Sequence, residues 1–142
     1  MDLTRTVAQF SDDAPGKNEE FIGRFDISAD LLELSKTPVG VVCAGVKSIL
    51  DIPKTLEYLE TMGVPVVSYG SDDFPDFFTP SSGCRAVFRC DTPSECASMV
   101  HSQGELGLET GIIFAVPIPE EKAADSRVIK DAIAQALAEA DA

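Results

Sequence analysis

The sequence is short of several things, and each shortage narrows what the chain can do. It has a single histidine, His101, in 142 residues, and its four cysteines, Cys43, Cys84, Cys90 and Cys96, show no C-x-x-C spacing. Structural zinc takes four Cys or His ligands at short paired spacings, so no zinc site is expected. The cysteines read instead as unreactive structural thiols, and His101 as an ordinary packed or surface residue of a helix. Basic residues are scarce: 11 Lys and Arg stand against 24 Asp and Glu, a formal charge of -13. Such a balance argues against a sequence-independent grip on nucleic acid or on an anionic membrane, so any bound phosphate must be held by local features. Long apolar runs are missing as well. Those at 39–44 and 111–116 are strand length, against the roughly 20 residues of a membrane-spanning helix. The opening MDLTRTVAQF lacks the apolar core of a secretory signal, and the expectation is a cytoplasmic protein with reduced thiols. No internal repeat or low-complexity tract is visible.

What is present fits one ordinary globular core: 44% hydrophobic and 25% charged residues. Residues 1–24 are polar, with an unbroken stretch from Ser11 to Glu20 that has no hydrophobic period, and read as a poorly ordered lead-in. Residues 25–142 alternate short apolar runs with amphipathic stretches, the pattern of an α/β domain built on a layered, mostly parallel sheet flanked by helices. Val39 to Ala44 is a valine-rich run expected to form a strand covered on both faces. Asp51 and Pro53 open a helix along which Leu56, Leu59 and Met62 recur, and Gly63 stops it before a strand at Val64 to Tyr69. Asp72 to Phe78 reads as a solvated acidic loop, with Tyr69-Gly70, Asp72 and Asp73 as a turn. A short strand follows at Ala86 to Arg89. Thr92-Pro93-Ser94-Glu95 combines an N-cap, a first-turn proline and a capping-box glutamate, and that helix should end near Gly104. Gly111 to Val116 is a further buried strand. Asp125 begins a last helix with Val128, Ile129, Ala132, Ile133, Ala136 and Leu137 on one face.

Chemistry concentrates after the first strand, in VVCAGVKSILD. Open α/β sheets bind ligands at the carboxyl ends of their strands, and Lys47 stands at such an end. Ala44 and Gly45 would let a ligand approach the backbone, and apolar surroundings would favour the neutral amine that attacks carbonyl carbon. The alternative is a solvent-facing lysine after a strand. Gly40, Gly45, Lys47 and Ser48 also mimic a nucleotide-binding P-loop, but Val46 separates the second glycine from the lysine, and Val41 to Ala44 prefer a strand to a phosphate-cradling loop. Upstream, Asp26-Ile27-Ser28-Ala29-Asp30 gathers two carboxylates and a hydroxyl that could hold a hard cation or accept bonds from sugar hydroxyls. Equally, Ser28 or Asp30 could cap a short helix ahead of Leu31, Leu32 and Leu34.

FDISADL at Phe25 to Leu31, the long block from Val41 to Gly70, DDFPDFF at Asp72 to Phe78 and PIPEE at Pro117 to Glu121 resemble, in order and spacing, the pseudouridine-5'-phosphate glycosidases, also called indigoidine synthase A-like proteins. The resemblance covers about residues 25 to 140. It implies reversible cleavage of pseudouridine 5'-phosphate to uracil and ribose 5-phosphate, manganese as cofactor and a trimeric assembly. It implies that Lys47 forms an imine with the anomeric carbon of the opened sugar, that Asp26 is the manganese ligand, and that Ser28, Ala29 and Asp30 contact substrate. A carbon-carbon glycosidic bond offers no oxygen or nitrogen leaving group to protonate, so a covalent lysine suits it better than paired carboxylates. The family pattern is about twice this length. Its acidic proton donor, a second substrate lysine and a glycine-rich segment lie ahead of Phe25, where residues 1–24 do not match, and no role passes to Glu19 or Glu20. A glycine- and asparagine-rich C-terminal segment is also unmatched, Val116 replaces the asparagine that precedes PIPE, and Pro80 and Thr110 interrupt other usual patterns. The resulting expectation is a domain incomplete relative to the full family fold, acting as a glycosidase or, alternatively, as a non-catalytic binding or assembly protein that keeps the family core, or as a nucleotide-binding protein.

Overall fold

The structure is a computed structural model that describes residues 27–47, 50–123 and 125–140. The lead-in expected at 1–24 lies outside them. Along the chain run α1 (Ala29–Leu34), β1 (Gly40–Cys43), α2 (Ile52–Thr61), β2 (Val66–Tyr69), β3 (Phe88–Cys90), α3 (Pro93–Glu105), β4 (Ile112–Ala115), a 3-10 turn (Glu120–Lys122) and α4 (Ser126–Ala140). The four strands form one parallel sheet in the order β1-β4-β2-β3. The α/β class expected from the alternating pattern is therefore observed.

Register sorts the side chains into two layers. Val42 pairs with Phe114, Phe114 with Val67, and Val67 with Phe88, so these four share a face. On it α3 seats Cys96 and Met99 against Val67, Cys90, Ile112 and Phe114. The opposite face is covered by α1 and α2: Leu31, Leu34 and Met62 pack on Leu59, Val64 and Ile113, while Leu56 packs on Ile52, Phe74 and Ala115. Because β4 inserts between β1 and β2, β1 is an edge strand. Its burial alternates, and Val42 is 65% exposed. The expected cover on both faces of β1 is thus not observed, since α3 packs over β2, β3 and β4.

The local signals explain the helix ends. Asp51 caps α2 by accepting from the Lys54 N–H at 3.1 Å, and Gly63, at φ 70°, reverses the chain after Met62. Thr92 and Glu95 form a complete capping box at the start of α3. At its other end, buried Gln103 donates to the Thr110 carbonyl at 2.6 Å, and the Thr110 hydroxyl donates to the Gly63 carbonyl at 3.0 Å. Thr110, a departure from the family pattern, is thereby the joint between α3, β4 and the end of α2. In α4 no described side chain is buried, and Val128 is 63% exposed, so the described part of the stripe, Val128 to Ala136, adds no buried residue to the sheet's core.

Candidate active site at the carboxyl end of the sheet

Lys47 sits four residues past the end of β1. Its carbonyl accepts from the Leu50 N–H at 2.9 Å, and the residue is half-buried. The preceding residues fix that turn. Val46 packs on Ile52, Phe74 and Ala115, and Gly45 takes φ 100° in an isolated antiparallel bridge to Asp76. A Cβ at Gly45 would lie 2.0 Å from the Pro75 carbonyl oxygen. The close approach that the small residue permits is therefore made by the protein's own loop and not by a ligand, which corrects the role expected of Gly45.

That loop, residues 70–87, is also not the solvated acidic loop expected. Phe74, Pro75 and Asp76 are buried, Asp76 at 3% exposure, because the segment folds back over the strand ends and satisfies its own backbone. Asp76 and Thr79 exchange two backbone bonds, of 3.0 and 2.8 Å. Phe74 donates its N–H to the Cys84 carbonyl, and Ser68, fully buried on β2, donates its hydroxyl to the Asp73 carbonyl at 2.8 Å. Ser81 donates to the Asp73 carboxylate at 2.8 Å, and Ser82 to the Phe74 carbonyl at 2.7 Å. Asp76 is the residue that sequence reasoning missed. Its bridge partner stands two positions before Lys47, and the only sequence signal was one more acid in an acidic stretch.

The upstream cluster divides. Ser28 accepts from the Asp30 N–H at 3.2 Å and is the N-cap of α1, so the capping alternative describes its side chain. Ala29 is exposed at the first position of α1, and Asp30 is half-buried in its first turn. At the far end of α1 the Leu34 carbonyl accepts from the Gly111 N–H, against which the helix packs closely enough that a Cβ on Gly111 would lie 2.9 Å from Leu34 Cδ2. Asp26 lies outside the described residues. Among the described residues no three His, Cys, Asp or Glu side chains converge on a common point, so they do not by themselves fit a manganese ion. The cysteines are thiols, and burial pushes the Cys43 thiol up from its ordinary value. His101 lies on the exposed side of α3, 3.5 Å from Glu105.

A parallel sheet flanked by helices, with a lysine turn and a buried, self-bonded loop over its strand ends, is an open α/β architecture, the class in which ligands bind at the carboxyl ends of the strands. Within that class, the chain belongs to the family of indigoidine synthase A like proteins, whose model matches residues 16–142. It is 56% identical over 117 residues to pseudouridine-5'-phosphate glycosidase 2 of Rhizobium johnstonii, covering 82% of this chain and 38% of the relative. Over 115 residues it is 52% identical to a pseudouridine-5'-phosphate glycosidase of Arabidopsis thaliana, covering 81% of this chain and 35% of the relative. Among solved structures, the prealnumycin C-glycosynthase AlnA in complex with ribulose 5-phosphate superposes with a TM-score of 0.77 at 38% identity, over 82% of this chain and 38% of that one. An indigoidine synthase A-like protein of Thermotoga maritima superposes at 0.73 with 36% identity, over 78% and 38%. The chain thus spans less than two fifths of the length of these relatives.

Proposed function

We propose that this chain carries the lysine-bearing portion of a pseudouridine-5'-phosphate glycosidase, with Lys47 as its nucleophile. The observation that carries the reading is the placement of Lys47 at the carboxyl end of a parallel sheet, in a chain 56% identical to a relative of that name. In the cleavage direction the Lys47 amine bonds to C1' as the ring oxygen leaves and takes a proton. Uracil C5 is then protonated, the C1'–C5 pair passes to the uracil ring, and the nitrogen lone pair forms an iminium at C1'. Water hydrolyses the iminium, which returns the amine and releases ribose 5-phosphate, so the overall reaction consumes one water. Ser28, Ala29 and Asp30 belong to this reading as substrate contacts through the first turn of α1, and manganese belongs to it only through Asp26. No step above depends on the metal. A trimer in the cytoplasm completes the reading.

A lysine without a positioned proton donor forms the imine but turns over about a hundredfold to ten-thousandfold more slowly. Imine formation is accordingly the direct test. Incubation of the chain with ribose 5-phosphate followed by borohydride should add the mass of the sugar phosphate less one oxygen, on the peptide containing Lys47, and Lys47→Ala should abolish it. Adduct spread over other lysines, or none, removes Lys47 from the reaction. In that case the second reading, a binding or assembly protein that keeps the family core, takes its place.

A further inference from the structure

The outer edge of β1 is bare. The Val39 and Cys43 carbonyls accept from the Ile112 and Val116 N–H groups at 2.9 and 2.7 Å. The alternate residues Gly40 and Val42 therefore direct their own N–H and C=O away from β4, where no described strand pairs with them. Sheet edges are normally protected by charge, bulges or cover. The other edge strand, β3, carries Arg89 held between Asp72 and Asp91, whereas no charged residue stands between Lys36 and Lys47. An open groove of ≈ 380 Å³ continues from the bare edge, lined by Gly40, Val42, Tyr69, Ala97, Val100 and Phe114. Val42 and Val100 are 65% and 44% exposed, and a Cβ at Gly40 would come no nearer than 3.9 Å to Val100 or Phe114. This face thus offers unpaired backbone and, above Gly40, room for an incoming apolar side chain.

We propose that this edge and groove seat a strand from the part of the indigoidine synthase A like fold that lies outside the matched segment. The length of the relatives argues for that occupant. The glycosidase of Rhizobium johnstonii and the AlnA structure each match over 82% of this chain but only 38% of their own length, so more than three fifths of each lies outside the shared core. Of the described surfaces, the β1 edge is the one that joins open backbone bonds to an apolar groove with no charge in the way. A strand added there makes β1 a central strand, covers Val42 and fills the groove. It also gives β1 the cover on both faces that its valine-rich sequence suits. The inference rests on family membership alone and is independent of the chemistry of Lys47.

The test co-expresses the full chain with each flanking portion of the Rhizobium johnstonii glycosidase, the parts outside its 117 matched residues, as separate tagged polypeptides, so that a portion unable to fold alone can fold on the chain. One portion should co-purify with the chain at equal stoichiometry. Val42→Asp should abolish that co-purification while leaving the melting temperature of the chain alone unchanged, because Val42 is already exposed there. Val87→Asp, 71% exposed beside the opposite edge, should leave the complex intact. Amide exchange followed by NMR reads the mode of docking: in the chain alone the Gly40 and Val42 N–H groups should exchange fast and those of Val41 and Cys43 slowly, and in the complex all four should be slow. Failure of both portions to co-purify, a complex that survives Val42→Asp, Gly40 and Val42 amides that stay fast in the complex, or self-association of the chain that Val42→Asp dissolves each overturns the proposal.

Discussion

At Gly45 two constraints coincide: a backbone φ of 100° that L side chains resist, and a Pro75 carbonyl oxygen 2.0 Å from where a Cβ would sit. Gly63 has only the first, with φ 70° and nothing within 4 Å. The two glycines separate conformational strain from steric exclusion. Gly63→Ala should cost about 1–2 kcal/mol, whereas Gly45→Ala must also push back the loop over the strand ends and should cost on the order of 3 kcal/mol or more. Urea denaturation of the two variants checks this, and equal costs would mean the loop yields freely. A second residue reports through pH. Glu95 accepts from the N–H groups of Asp91 at 2.7 Å and Thr92 at 3.0 Å, which hold its carboxyl below the usual 4.5. The folded chain therefore binds this proton less readily than the unfolded chain. The carboxylate's contribution is fully present above about pH 4.5 and is lost as pH falls through the lower folded value. Glu95→Gln should be less stable than wild type near neutral pH, with the difference shrinking below pH 4.5. A gap that stays constant down the acid limb would contradict the assignment.

At the scale of elements, what could be read in advance was whatever local chemistry decides alone. The start of α3 was legible because Thr92, Pro93 and Glu95 satisfy its orphan N–H groups without help from elsewhere, and Thr92→Ala should cost about 1 kcal/mol by thermal or urea melting. The opposite end of that helix was not legible. Gln103 matters through bonds to Thr110 and Gly111 and thence to Gly63, a contact across 47 residues that no window of sequence contains. Gln103→Ala leaves those carbonyls without their donor and should cost about 1–3 kcal/mol. A loss below a few tenths would show that water replaces the amide. The same division holds at the site. The position of Lys47 just past the end of β1 was legible because a lone lysine after a valine-rich strand stands out. Asp76 was hidden, because burial of an aspartate in DDFPDFF depends on the fold-back of the whole loop onto Gly45. The two-faced burial expected of β1 failed for a related reason: strand order, which decides edge or centre, is a long-range property.

For the whole molecule, topology and charge pull against each other. Parallel strands that are distant in sequence must be brought together, and the loops that do so give no stability until they close. The chain also carries a formal charge of -13, and folding draws the acids of the described domain closer together. Favourable ion pairs exist, Arg89 with Asp72 and Asp91, Lys54 with Asp51 and Lys36 with Glu33, but every partner is at least 41% exposed. Exposed pairs contribute at most about 1 kcal/mol each and often nothing measurable. Salt screens these pairs and the general repulsion alike, with a Debye length of about 8 Å at physiological ionic strength. Repulsion among 24 acids has the longer reach and the larger count, so screening should remove more repulsion than attraction. The urea midpoint of the chain at pH 7 should therefore rise as sodium chloride increases from about 0.02 to about 0.3 M, a range over which the Debye length shortens severalfold. Removing the local pairs by Arg89→Gln should steepen that rise. A midpoint that falls with salt would place the balance in the few cationic side chains, and with it the closure of β3 onto the loop that Arg89 joins through Asp72.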